Sequence, residues 1–395
     1  MVKTALKDGI YWVGAVDWNI RDFHGYVTNR GTTYNAYLIQ DEKTALIDTV
    51  KKVFSEELIR HIEEITSFDK IDYIIVNHVE MDHSSSLQTI AKKAKNARIF
   101  SSVRGKDEII KHYGPDFERI ETVKTGDEIS LGKKTLRFVE APMLHWPDSM
   151  FTYVVEDKVL MPNDAFGQHL ASSERFDDEV DQHILMEEAT IYYANILMAL
   201  APLITRKIQE VVAMKIPIEI IAPSHGIIWR KDPMKIVNAY LAWSAAENKK
   251  KVVIVFDTMW GSTDKMAEAI AEGVGSEGVD AKIVKLRASP NSEAVTEILE
   301  AKAVLVGSPT LNNGMFPTLG SFLTYITGLR PKAKIWGFFG SYGWGGGAVK
   351  TMIKTAKEAG FDVVEPGLEI KFVPTEEELK KCFEFGQQIA QKIKA

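Results

Sequence analysis

From Val252 onward the chain alternates short apolar runs with helix-length amphipathic stretches, and this alternation restricts the fold more than any other feature. Val252–Phe256 is apolar without interruption, as expected of a parallel strand covered on both faces. The pattern then predicts a helix over Thr263–Val274, a strand over Ala281–Lys285, a helix over Asn291–Glu300 and a strand over Ala303–Gly307. A helix opening at Pro317, a strand over Lys334–Phe339, a helix over Gly347–Ala359 and a strand near Phe361–Val364 come next. Thr375 and Glu378 are spaced as a capping box for a last helix. Strands and helices in strict alternation fold as a doubly wound parallel five-stranded sheet, with ligands at its carboxyl edge.

The preceding residues mix elements less regularly. Strands are expected at Asn35–Gln40, Thr44–Asp48, Ile71–Val76, Arg98–Ser101, Thr135–Glu140, Phe151–Val155 and Glu219–Ala222. Helices are expected at Phe54–Ile65, Ser84–Ala94, Glu179–Met198 and Asp232–Glu247. The polar stretch Ala246–Lys251 reads as a hinge, dividing the chain into domains 1–248 and 249–395. With 45% hydrophobic and 26% charged residues, the composition is that of a globular protein. A net charge of −6 without any basic run argues against a nucleic-acid partner. No apolar stretch reaches membrane-spanning length, and Met1–Asp8 lacks the apolar core of a signal peptide. Cys382 is the only cysteine, which excludes an intrachain disulfide, a Cys-ligated zinc and an iron–sulfur cluster held by one chain. A cytoplasmic protein is the simplest reading.

Chemistry concentrates in His78-Val79-Glu80-Met81-Asp82-His83, directly after the apolar run Ile71–Val76. Four of these six residues bind metals, and ligands packed so closely past a strand end suit two ions side by side rather than one. Two ions require roughly seven or eight protein donors and a bridge. Three further candidates stand at strand ends: His145, Asp164 and His225, each flanked by Pro, Gly or small residues. His61, His112 and His183 have no such context and read as ordinary surface or core histidines.

A second set of loops lies in the regular half. Asp257-Thr258-Met259-Trp260-Gly261-Ser262-Thr263 joins the first strand to the first helix and offers three hydroxyls, a glycine and a helix N-terminus to a phosphate. It has neither the Gly-Lys-Ser/Thr ending of a P-loop nor a G-x-G-x-x-G pattern, so it suits a mononucleotide phosphate without magnesium. Ser308, Pro309, Thr310, Asn312, Asn313 and Gly314 form one more edge loop; Ser341, Tyr342, Gly343, Trp344, Gly345 and Gly346 form another. Glycines there admit a flat ring, and Trp260, Tyr342 and Trp344 are candidates to stack on it.

The H-x-E-x-D-H motif resembles the metallo-β-lactamase superfamily, whose hydrolases usually carry H-x-H-x-D-H. Glu80 in place of the middle histidine shifts the set from zinc-hydrolase ligands toward the oxygen-richer environment of iron. The motifs Asn77–His83, His145–Met150, Pro162–His169 and Pro223–Arg230, together with the domain order, resemble the flavodiiron proteins over nearly the whole chain. That resemblance implies an αββα metallo-β-lactamase-like sandwich followed by a flavodoxin-like domain carrying FMN. It implies two iron ions, one held by His78, Glu80 and His145, the other by Asp82, His83 and His225, with Asp164 bridging. It places His24 and Tyr193 near the open face of the metals and His169 behind a ligand. The implied activity is reduction of O2 to water, of NO to N2O, or both. Electrons come from a separate donor, rubredoxin-like or a reduced deazaflavin, and the unit is a head-to-tail homodimer or a dimer of dimers. The alternatives are a dinuclear zinc hydrolase with an accessory flavodoxin domain, against which Glu80 argues, and a plain electron carrier with an inert first half, against which the full ligand set argues.

Overall fold

In the computed structural model, which describes residues 4–117 and 120–394, the regular half forms a parallel sheet. The strands run Asp280–Lys285, Lys249–Phe256, Ala301–Leu311, Ile335–Tyr342 and Asp362–Val363 across it, so chain order is 2-1-3-4-5 and each neighbouring pair is parallel. The fifth strand is broken: Asp362–Val363 pairs with Ile335–Trp336, and Leu368–Lys371 pairs with Phe339–Tyr342 further along the same neighbour. Val252, Val253, Ile254 and Val255 are wholly buried, as their unbroken apolar run requires. Helix Ser262–Ser276 buries Thr263, Met266, Ala267, Ile270, Gly273 and Val274, the three-and-four spacing of one helical face. It lies against Glu376–Lys394 so closely that a Cβ on Gly273 would sit 2.0 Å from the Phe383 carbonyl oxygen, and one on Gly386 2.1 Å from that of Ile270. The expected capping box closes that last helix: Thr375 N donates to Glu378 Oε2 at 2.8 Å, and Glu378 N to Thr375 Oγ1 at 3.3 Å.

The first half contains two facing sheets. One runs Thr4–Lys7, Ile10–Trp12, Tyr37–Gln40, Thr44–Ile47, Ile71–Val76, Arg98–Ser101 and Glu121–Thr122; the other runs Glu128–Ser130, Thr135–Glu140, Met150–Val154, Val159–Met161 and Ile220–Ile221. A single core joins them, with Tyr37, Ile39, Ile47 and Ile75 from one sheet meeting Phe138, Met150, Val159 and Ile220 from the other. Burying one face of each sheet in a shared layer is what makes a sandwich.

Some elements depart from the sequence expectation. The helix expected over Ser84–Ala94 is two pieces, Met81–Ser84 and Leu87–Lys93, so Asp82 and His83 lie inside a helical turn. The helix expected over Glu179–Met198 is regular only over Gln182–Tyr192 and then widens into a π-helical turn at Tyr193–Leu197. Helices Val103–Tyr113 and Ala201–Ala213 are additional. The first starts on Ser102, whose hydroxyl accepts Gly105 N at 3.0 Å. The chain divides into two compact units: one reaches to Tyr192 and includes Pro202–Leu241, and the other joins Tyr193–Ala201 to the residues from Ala242 on. No helix among the described residues is long and apolar enough to cross a membrane.

Candidate metal centre and flavin cleft

All seven expected metal donors stand at strand ends of the sandwich. His78 and Glu80 follow strand Ile71–Val76, with Asp82 and His83 in the helical turn after them. His145 follows Thr135–Glu140, Asp164 follows Val159–Met161, and His225 follows Ile220–Ile221. The ligand atoms of His78, Glu80, His145 and Asp164 all lie within 4.8 Å of one another, as do those of Asp82, His83 and His225. Asp164 faces both groups. Its Oδ2 is 3.0 Å from His145 Nε2 and 3.6 Å from His78 Nε2; its Oδ1 is 3.0 Å from His83 Nε2 and 3.5 Å from His225 Nε2.

The electrostatics of this pocket call for cations. Three carboxylates share it, and both oxygens of Asp82 and both ring nitrogens of His83 are buried without a hydrogen bond of proper geometry. Burial by itself would hold His83 and His145 neutral, yet the carboxylates beside them raise both to about 9: Asp82 and Asp164 act on His83, and Asp164 and Glu80 on His145. Burial opposes ionisation of Asp164 as well, but the surrounding histidines hold it well below the usual carboxylate range. Buried donors of this kind are stabilised as a set around metal ions, so the residues fit a metal pair.

Residues outside the ligand set orient it. His78 Nδ1 lies 3.1 Å from both oxygens of Asp148, and Asp148 Oδ2 also accepts Val79 N. His225 Nδ1 donates to the Thr33 carbonyl at 2.7 Å. Asn35 donates through Nδ2 to the carbonyls of Pro223 and Gly226, bracketing the His225 loop. Asp48 links the two sheets: Oδ1 accepts Asn77 N at 2.7 Å, and Oδ2 accepts Asn77 Nδ2 and Asn163 Nδ2, both at 3.1 Å. It thereby grips the residues just before His78 and Asp164. The sequence reading missed all of these partners. Asp148 stands within one of the quoted motifs, whereas Asp48 carries no signal beyond ending a strand.

His24 reaches the cluster, with Nε2 2.8 Å from Glu80 Oε1, and remains half exposed. His169 is buried, its Nδ1 2.7 Å from Thr32 Oγ1 and its ring 4.7 Å from that of His225; burial and then the nearby His225 keep it neutral. Tyr193 turns elsewhere, its hydroxyl 2.8 Å from Ser244 Oγ and its ring on Trp243. Its neighbour Tyr192 is the tyrosine beside the cluster, with ring centroids 5.1 Å from His169 and 6.2 Å from His225. Successive helical residues point about 100° apart, so a choice between adjacent tyrosines depends on where the helix starts. His61 is a core histidine, with Nδ1 2.9 Å from the Gly14 carbonyl oxygen.

The three flavin-loop candidates come together at the carboxyl ends of the parallel strands and lock onto one another. Thr263 Oγ1 meets Ser341 Oγ at 3.0 Å, and Thr310 Oγ1 accepts Ala348 N at 3.3 Å. A Cβ on Gly347 would sit 2.3 Å from the Asn313 carbonyl oxygen, so glycine is required there. The middle loop is a hairpin, Thr310 pairing with Met315 and Leu311 with Gly314 around Asn312 and Asn313, both at positive φ; asparagine tolerates that region. Ser308 is fully buried and accepts Phe316 N, which makes it part of the cleft wall. Thr258, Met259, Gly261 and Ser262 lead into helix Ser262–Ser276, whose first N–H groups have no intrahelical partner. Trp260 and Trp344 are 94% and 95% exposed, so neither caps the sheet. The cleft fits a phosphate at the helix start and a flat ring among glycines and aromatics.

A sandwich with two buried His/carboxylate groups, followed by a 2-1-3-4-5 sheet with a phosphate loop, defines a protein that pairs a lactamase-like metal domain with a flavodoxin domain. Comparison with known proteins agrees. The model for "ODP family beta lactamase" matches residues 32–226, and the flavodoxin model matches residues 254–386. The chain is 51% identical to the nitric oxide reductase of Moorella thermoacetica over 98% of both chains. It superposes with a TM-score of 0.97 on the rubredoxin oxygen:oxidoreductase of Desulfovibrio gigas, at 41% identity over 99% of this chain and 98% of that one. With the flavodiiron protein of Giardia intestinalis the TM-score is 0.95, at 37% identity over 100% and 97% of the two chains. The chain belongs to the flavodiiron protein family.

Proposed function

We propose that this protein is a flavodiiron oxidoreductase that reduces O2 to water, NO to N2O, or both, with electrons passed through FMN from a separate redox partner. The observation that carries the reading is Asp164, with one carboxylate oxygen toward each group of donors. In this reading His78, Glu80 and His145 hold one iron, Asp82, His83 and His225 hold the other, and Asp164 spans them. A diiron pair and FMN each store two electrons, which together match the four that O2 needs to become two waters and exceed the two that a pair of NO needs to become N2O and water. The chain's own residues hold the donors in place: Asp148 and the Thr33 carbonyl fix the faces of His78 and His225, and Asp48 joins the strand ends that carry His78 and Asp164. His24, bonded to Glu80 and half exposed, is placed to exchange protons between solvent and the pocket.

The names of the relatives, nitric oxide reductase and rubredoxin oxygen:oxidoreductase, support both substrates and a rubredoxin-like donor; a reduced deazaflavin is the second candidate donor. A cytoplasmic location fits the single cysteine. The deciding experiment is anaerobic reduction of the iron- and FMN-loaded protein and then parallel turnover with O2 and NO. Consumption of at least one without release of peroxide is expected. A protein that holds two zinc ions after growth on iron, hydrolyses a thioester or lactam and consumes neither gas would overturn the reading.

A further inference from the structure

Asp257 comes directly after strand Lys249–Phe256 and is fully buried. Its Oδ1 accepts Thr258 N at 2.7 Å and lies 3.3 Å from Arg287 Nε. Its Oδ2 accepts the Thr318 hydroxyl at 2.7 Å. Its own N–H donates to the Gly307 carbonyl at 3.2 Å. Thr318 lies in the first turn of helix Pro317–Leu329, and the Arg287 guanidinium rests 4.8 Å from the centre of the Phe316 ring. One residue thus ties the start of the Thr258–Thr263 loop to the neighbouring strand Ala301–Leu311 and to helix Pro317–Leu329 that follows it.

A buried carboxylate is unfavourable unless paired, and this one stands at the head of a loop read as receiving a phosphate dianion. Its charge opposes that ligand, so its contribution to binding has to be geometric. The hydrogen bonds show how. Asp257 takes up the Thr258 N–H, and the Thr258 hydroxyl in turn accepts Gly261 N at 3.0 Å. Gly261 is thereby held at φ +88°, the left-handed conformation that turns the chain into helix Ser262–Ser276. The relay ends where the helix presents its N–H groups.

We propose that Asp257 is the positioning residue of the FMN phosphate loop: its bonds to Thr258 N and the Thr318 hydroxyl set the loop's shape, and Arg287 offsets its charge. The proposal rests on the reading that FMN fills this cleft. It separates FMN from riboflavin, which has the same ring and no phosphate. Full-length protein freed of flavin is titrated with each, monitored by quenching of flavin fluorescence. Asp257→Ala should weaken FMN binding by roughly 10- to 100-fold, the scale of a lost hydrogen bond to a charged group, and leave riboflavin affinity unchanged. Asp257→Asn retains an acceptor for Thr258 N, pairs its amide with Thr318 and removes the like charge, so it should stay within about threefold of the parent for FMN. If Asp257→Ala does not fold, Thr318→Val reports on the same lock, with a loss of about 3- to 10-fold for FMN and none for riboflavin. Equal losses for both flavins, or no loss of FMN affinity, overturn the positioning role alone. A parent protein that binds neither flavin removes the FMN reading and this inference with it.

Discussion

Asp164 and Glu188 show how differently two buried carboxylates behave. Asp164 sits among four histidines and is held ionised, whereas Glu188 is paired with Arg30 Nε at 2.9 Å, and burial raises it to about 7 against that pull. Replacing Asp164 with Ala removes the one residue that faces both donor groups. We expect Asp164→Ala to lose metal from both positions, so that metal analysis finds well under one ion per folded chain; retention of two would refute the bridging role. For Glu188 the sign is fixed by the direction of the shift. The folded chain keeps a proton that the unfolded chain has lost between about pH 4.5 and 7, so stability falls as pH rises through that window and stays reduced above it. Glu188→Gln should flatten this slope and stabilise the protein by about 1–2 kcal/mol at pH 8 while changing little at pH 4.5. Urea melts at the two pH values measure it, and an equal shift at both contradicts the assignment.

At the scale of elements, the π-helical turn Tyr193–Leu197 has the largest consequence. The wider turn sets where its own side chains point, and Asn195 within it, part of the second unit, is buried. Its Nδ2 lies 3.4 Å from the Ser292 carbonyl oxygen and 3.3 Å from Thr296 Oγ1, and its Oδ1 accepts the Tyr325 hydroxyl at 2.9 Å. On the same side of the sequence hinge, Asn248 Oδ1 accepts the buried Lys334 ammonium at 2.9 Å. A fragment beginning at Lys249 therefore lacks the Asn195 partner of Tyr325 and one of the three acceptors of Lys334, which keeps the carbonyls of Leu299 and Ala301. Asn195→Ala should lower the stability of the flavodoxin-like unit by about 0.5–1.5 kcal/mol, because it removes the acceptor of the half-buried Tyr325 hydroxyl, while Thr296 and the Ser292 carbonyl still bond each other. The urea concentration at which flavin is released is the readout; an unmoved midpoint would show that the strap contributes nothing. Periodicity could not reveal this strap, since a π-turn differs from an α-turn by a single residue and its partners lie far away in sequence.

For the whole molecule, we propose a working unit of at least a head-to-tail homodimer in which electrons cross between chains, the arrangement favoured by two sites that each lie at the strand-end edge of their own unit. The exposed Trp344 and Trp260 at the flavin cleft and Trp146 beside His78 are the aromatic residues suited to such a junction. Mixing a chain carrying Asp164→Ala with a chain disabled in the Thr258–Thr263 loop tests it. Mixed dimers should recover one intact flavin–metal pair and roughly half the activity of a parent dimer. Mixed dimers that form, keep their unaltered cofactors and remain inactive would rule out transfer between chains.

The sequence by itself determined the elements and the chemistry that reside in contiguous residues. Alternating apolar runs specify a parallel sheet because each strand must be buried on both faces, whereas the order 2-1-3-4-5, one of several possible right-handed windings, came with the tertiary structure. His78, Glu80, Asp82 and His83 were recognisable together because a strand end holds neighbours close, and His145, Asp164 and His225 because each also ends a strand. Only the tertiary structure decided which groups meet across sheets. Asp48 joins Asn77 to Asn163, Asp257 joins a loop to Thr318, and Tyr192 rather than Tyr193 turns to the metal pocket. The physical reason is the same in each case: a hydrogen bond between residues far apart in the chain is set by the packing of whole layers, and a helix's rotation by the face it buries, neither of which leaves a local pattern in the sequence.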